Sequence, residues 1–117
     1  IQILSPATHQ FIGNSFVSVE RLRDMASRPT IEMSNKDANK RKIKDGDLCR
    51  IFNDVGETYA HAVIIDSMLE GVASTQKQYK GSLVRNGVNA NALNTQDVTD
   101  MGDGPIFYTV LAQIKKA

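Results

Sequence analysis

Cysteine is almost missing from this chain of 117 residues: Cys49 stands alone. A single thiol excludes an internal disulfide framework and any all-cysteine metal or iron–sulfur site. It fits a reducing compartment without establishing one. A charge bias is missing too, because 14 basic and 13 acidic residues leave a formal net charge of +1. Such a balance gives no footprint for a nucleic acid or another polyanion. Apolar runs such as Ala62–Ile65 fall far short of the roughly 20 residues a membrane helix needs. The opening IQILSPATHQ lacks the charged and apolar regions of a signal peptide. Repeats and interdomain linkers are absent as well. The chain opens on an apolar, strand-like segment without Met, which reads as a piece of a longer protein.

What is present suits one folded domain. An apolar share of 41% against 23% charged residues is enough for a modest core and argues against disorder. Ile1–Leu4 reads as a buried strand that runs into a loop at Ser5-Pro6. Ser18 is placed to cap a helix over Val19–Ala26, with Val19, Leu22 and Met25 or Ala26 on one face. Pro29 ends it, and Thr30–Met33 alternates as a half-buried strand does. Ser34 followed by Asp37 is a helix-start pattern, anchored by Ala38 and Ile43. Leu48–Asn53 and Glu57–Ile65 flank Asn53-Asp54-Val55-Gly56, whose backbone freedom a hairpin requires. Val72–Thr75 is a further strand, and Phe107–Ile114 is a closing one with Tyr108, Val110, Ala112 and Ile114 on one face. The stretch from Gln76 to Pro105 is polar and rich in Asn and Gly, with Leu83-Val84 and Ala92-Leu93 as its anchors. A connection of that length is usually functional or disordered. About six short strands and two small helices point to a mainly β fold, a β-barrel with helical excursions.

Three ordered stretches resemble the C-terminal, molybdopterin dinucleotide-binding domain of the dimethyl-sulfoxide-reductase family of molybdopterin oxidoreductases. Leu4-Ser5-Pro6, Thr8-His9 and Gly13-Asn14-Ser15-Phe16 form the first. Ile43 through Leu48, with Arg50 through Asp54 and Gly56-Glu57, form the second. Gly87 through Leu93, with Asp100 through Gly104 and Phe107-Tyr108 behind, form the third. The match runs over essentially the whole chain. It implies a six-stranded double-psi β-barrel of the aspartate-decarboxylase-like kind, one domain over residues 1–117, cut from the C-terminus of a larger enzyme. It also implies a molybdopterin guanine dinucleotide carrying molybdenum or tungsten, with metal and any iron–sulfur cluster held by other domains of the parent enzyme. The isolated domain is then inactive, and a cytoplasmic setting in a bacterium or archaeon is expected, with a periplasmic one left open.

Carried over residue by residue, the resemblance places Ser5, Thr8, His9, Asn14 and Ser15 of the first loop on a pterin. Lys77 falls where the family often has a lysine, although Gln78 and Tyr79 replace the glycine and tryptophan usual behind it. Asn89 and Asn91 fall on an Asn-x-Asn element, the second expected contact; Asn94 stands where threonine is common, and Ala7 where a basic residue is. The chemistry suits the role. A pterin edge is an array of donors and acceptors that neutral Asn, Ser, Thr and His can match, and Gly-rich loops bring backbone N–H groups close to phosphate.

Other features read as structure. Cys49 lies in a strand with no His or Asp partner at a useful spacing, so it packs and does not catalyse. His61 reads as a partly exposed sheet residue. Lys40-Arg41-Lys42 reads as a solvated helix end that complements the helix dipole. Asp97, Asp100 and Asp103 lack the spacing of a calcium loop. Gly81-Ser82 admits a self-cleaving, pyruvoyl-forming decarboxylase on the same barrel, but the pair sits late in the long loop. A free-standing small subunit or non-enzymatic binding module is the remaining alternative.

Overall fold

The structure, a computed structural model, describes residues 1–7, 18–26, 28–76, 84–106 and 109–117. Six strands form one sheet: β1 (Gln2–Leu4), β2 (Thr30–Met33), β3 (Leu48–Phe52), β4 (Glu57–Ile64), β5 (Val72–Thr75) and β6 (Gln113–Lys116), in the order β1-β5-β2-β4-β3-β6. Pairings β1–β5 and β2–β4 are parallel, and the other three are antiparallel. The sheet curls until its edges meet. Ile3 N–H donates to Val110 O at 2.8 Å, and Ala112 N–H donates to Ile1 O at 3.0 Å. The amino terminus itself reaches Ala112 O at 3.2 Å. The two helices, α1 (Glu20–Ala26) and α2 (Asn35–Lys40), are short.

Alternation within the strands builds the core. Ile31 and Met33 of β2, Cys49 and Ile51 of β3, Ala60 and Ala62 of β4, Ala73 of β5 and Ile114 of β6 all point inward and are buried. The register sets them opposite one another: Ile51 faces Thr58 and Ile114, while Ile31 faces Ala62 and Thr75. The buried hydroxyls on this face are paired, Thr58 Oγ1 donating to Val88 O at 2.7 Å and Thr75 Oγ1 to Thr30 O at 2.9 Å. Buried polar groups left without partners would cost stability, so these bonds allow threonine at inward positions.

The Ser34 start forms as the sequence predicts. Its side chain accepts from Asp37 N–H at 3.1 Å and donates to Asp37 Oδ2 at 2.8 Å. Asp37 is itself only 3% exposed. Its carboxylate also accepts from Gly71 N–H at 2.8 Å and from Arg41 Nη1 at 2.9 Å. Burial alone would raise the Asp37 carboxyl; the bonds from Gly71, Ser34 and Arg41, together with the Arg41 charge, outweigh it and hold the group below its ordinary value. Gly71 takes φ +85°, a conformation glycine adopts without strain, and its carbonyl accepts from Gln2 N–H at 2.9 Å. One carboxylate thus ties α2 to the turn that pairs with β1. Arg41 is therefore half-buried and bonded, not the freely solvated charge its neighbours Lys40 and Lys42 suggested.

Three further expectations change. Val19 and Met25 are exposed, Met25 at 61%, so α1, only about two turns long, carries no buried apolar stripe through them. The closing strand begins later than Phe107, at Gln113, and runs on to Lys116, because residues 110–112 pair with the first strand's edge instead. The inward face there is as expected: Val110, Ala112 and Ile114 are buried and Leu111 is exposed; Tyr108 lies outside the described residues. The polar stretch before it carries a 3-10 helix at Ala90–Leu93 and a bridge between Val98 and Pro105.

Cys49 is buried, and burial first, then the Asp47 charge, pushes its thiol up to about 11. From an ordinary value of 9.0, about two units remove about 99% of the thiolate at a given pH below both values. We expect native protein to react with a thiol reagent at pH 8 about a hundredfold more slowly than unfolded protein, followed as absorbance against time.

Candidate functional site

The Asn-rich segment is where the described site residues gather, and it is held in place from beneath. Asn86 Nδ2 donates to Glu57 O at 3.1 Å, and Thr58 Oγ1 reaches Val88 O. Asn53 Nδ2 donates to Leu93 O at 2.8 Å. Leu93 is 1% exposed and Ala90 is also buried, so two apolar side chains sink the 3-10 helix into the core. The β3–β4 turn meets this helix closely: a Cβ on Gly56 would lie 2.6 Å from Ala92 O, nearer than real Cβ atoms come. Glycine is needed here for proximity.

Within the segment, Asn89 caps the helix. Its Oδ1 accepts from Asn91 N–H at 3.0 Å, the local bond that Asn favours at such starts. Asn91 is exposed, one position into the helix. Residues 86–94 contain no ionisable side chain; they present amides only.

At the end of β1, Ser5 is 6% exposed, and among the described residues no hydrogen-bond partner accompanies its hydroxyl. A buried polar atom without a partner is a place where a ligand group would fit. Pro6 and Ala7 beyond it are exposed. Thr8, His9, Asn14, Ser15 and Lys77 lie outside the described residues. A cleft of about 280 Å³, bordered by Ile1, Asn53, Asp54 and Leu111, opens where the first strand, the hairpin and the closing segment meet.

Asn53, Gly56 and Thr58, which hold this segment in place, are residues sequence reasoning passed over. Asn-Asp-Val-Gly was legible as a turn, and Asn53 Oδ1 does accept from Val55 and Gly56 N–H, both at 3.0 Å. Nothing local signals that the other end of the same amide reaches across forty residues. His61, read as a sheet residue, is half-buried in β4 with Nδ1 3.2 Å from Gly46 O. Among the described residues no three His, Cys, Asp or Glu side chains come together to hold a metal. No described helix is long and apolar enough to cross a membrane.

A curled β-sheet with a pinned, neutral, amide-bearing loop is suited to holding a polar ligand. The chain belongs to the molydopterin dinucleotide binding domain family, whose profile matches residues 1–111. It is 33% identical over 113 residues to a probable oxidoreductase, YoaE, of Bacillus subtilis (strain 168), covering 92% of this chain and 16% of that protein. Chlorate reductase subunit alpha of Ideonella dechloratans is 32% identical over 123 aligned residues, 92% of this chain and 13% of its own. Dimethyl sulfoxide reductase DmsA of Escherichia coli (strain K12) is 33% identical over 109 residues, covering 90% and 13%. The chain therefore spans between 13% and 16% of the length of these relatives. Acetylene hydratase from Pelobacter acetylenicus matches in structure with a TM-score of 0.83 at 12% identity, over 100% of this chain and 18% of that one. That likeness bears out the mainly β fold of six strands and few short helices.

Proposed function

We propose that this chain is the cofactor-holding barrel of a larger molybdenum oxidoreductase, a double-psi barrel that covers a molybdopterin guanine dinucleotide. The observation that carries the reading is the Asn89–Asn91 element, fixed against the β3–β4 turn while Asn91 stays exposed. The family assignment supports it, as do two relatives that are reductases by name. The donor set fits the group. Asn amides offer donor and acceptor side by side, as a pterin edge requires, and the Ser5 hydroxyl is buried without a described partner.

In this reading Ser5, Thr8, His9, Asn14 and Ser15 bind the cofactor from the first loop, Asn89 and Asn91 from the second, and Lys77 lies at its edge or phosphates. The bound cofactor supplies the redox-active metal, molybdenum or tungsten. The barrel's residues orient the pterin, keep water from its edge and bias its electronics through hydrogen bonds. Metal ligands and substrate contacts fall to other domains of the parent protein, which we place in the cytoplasm.

Asn91→Ala tests the contact with little cost to the fold, since the side chain is exposed. In the full-length parent, losing up to two hydrogen bonds should weaken cofactor binding by about tenfold or more. The readout is metal content with pterin release after purification, beside an unchanged melting temperature. Full cofactor load in Asn91→Ala would remove Asn91 from the site. Wild-type protein free of metal and pterin after proper maturation would move the function to a binding module without this cofactor.

A further inference from the structure

We propose that Asn53 is the positioning residue of the cofactor site, a single amide that fixes the bases of both binding loops at once, with Gly56 as its steric partner. The inference rests on the cofactor reading above. All four hydrogen-bonding sites of the Asn53 side chain are used. Oδ1 accepts from Val55 and Gly56 N–H and sets the β3–β4 turn. Nδ2 donates to Leu93 O at 2.8 Å and, more weakly, to Leu111 O at 3.4 Å. Leu93 closes the 3-10 helix that begins at the Asn89 cap. Leu111 lies in the segment that pairs with β1, bridged to Gln2, and β1 leads straight to Ser5 and the first loop. The turn and the second loop therefore share one side chain, and the same side chain reaches the root of the first loop through Leu111 and its bridge to Gln2.

Gly56 makes the arrangement close-fitting. Its φ is not positive, so an alanine there carries no backbone strain of its own. The added Cβ would meet Ala92 O at 2.6 Å, and that atom belongs to the backbone of the loop, so the loop must give way. Two different substitutions thus push the same element, one by removing donors and one by steric displacement.

Asn53→Asp is the discriminating variant. A carboxylate still accepts from Val55 and Gly56 N–H, and Asp is well tolerated in turns, so the hairpin keeps its start. It cannot donate, and its charge faces the Leu93 and Leu111 carbonyls. The experiment is peptide-resolved hydrogen exchange, together with pterin and metal content, on full-length wild type, Asn53→Asp and Gly56→Ala. Expected is exchange at residues 89–94 faster by about tenfold or more in both variants, with β2 nearly unchanged, and cofactor content several-fold lower than wild type. Wild-type exchange at 89–94 in Asn53→Asp would overturn the bracing role. Faster exchange with full cofactor content would overturn the link to the cofactor. Equal acceleration in β2 and in 89–94 for both variants would make Asn53 a residue of the general fold and overturn positioning. Wild type lacking pterin altogether would instead fell the cofactor reading and the positioning of its loops with it, whatever the exchange shows.

Discussion

Leu93→Ala should lower stability by about 3 kcal/mol, within the range found for truncating a buried leucine. Leu93 is 1% exposed and belongs to the same packed cluster as Ile51, Ile114 and Val110. Its loss removes apolar burial and leaves a void that the curled sheet cannot readily fill, since ladder bonds on both sides hold the strands apart. The consequence is not limited to the core. Leu93 is also the residue whose carbonyl receives Asn53 Nδ2, so a loosened side chain frees the end of the 3-10 helix. A urea titration should show the midpoint falling with an unchanged slope. A shift under about 0.5 kcal/mol, the size of an ordinary surface change, would show that the loop is not seated in the core.

Asp37→Ala should be comparably damaging, at about 3 kcal/mol near neutral pH. The substitution strips an acceptor from Gly71 N–H, Ser34 Oγ and the Arg41 guanidinium together, leaving Arg41 half-buried without its counter-ion. The pH dependence has a definite sign. The folded carboxyl titrates below its ordinary value of 3.8, so as acid is added the unfolded chain takes up the proton first. The stabilisation is complete above that value and drains away as pH falls through the lower, folded one. Wild type and Asp37→Ala should differ most at pH 7 and converge in strong acid, when compared by denaturant midpoints at each pH. A constant difference down to pH 2 would mean that the carboxylate's charge is not what stabilises the α2–Gly71 contact.

The legible parts of this molecule were the local ones. Ser34 with Asp37 announced a helix start three residues apart, and the bonds that make it form between those same two residues. Asn53-Asp54-Val55-Gly56 announced a turn for the same reason, and period-two alternation marked the inward faces of β2 and of the Val110–Ile114 segment. What sequence did not disclose was non-local. The parallel pairing of β2 with β4 and the meeting of Ile1 with Ala112 follow from how the whole sheet curls. So does the tie between Asp37 and Gly71, thirty-four residues apart, made by the same carboxylate that holds Arg41 in a half-buried ion pair. Of the candidate site residues, Asn89 and Asn91 were singled out through a resemblance, not through physics; an Asn-rich loop by itself reads as solvated. The cap that Asn89 makes to Asn91 was within reach of local reasoning, and gives the Asn-x-Asn spacing a structural reason apart from any ligand. Asn53 stayed hidden because the turn fully accounted for it.

The seam between Ile1–Ile3 and Val110–Ala112 also bears on how the protein is made. A strand at the very start of the domain finds one neighbour in β5, some seventy residues later, and the other only after residue 112 has been added. Loops that long close slowly. While the ribosome is still extending the chain, Ile1, Ile3 and Leu4 are an apolar segment with both edges bare, the kind of surface that chaperones recognise and that neighbouring nascent chains join. The β3–β4 hairpin, whose pairing is local, is free to fold meanwhile. Within the domain, the segment around Leu111 is therefore what retires the hazard carried by β1.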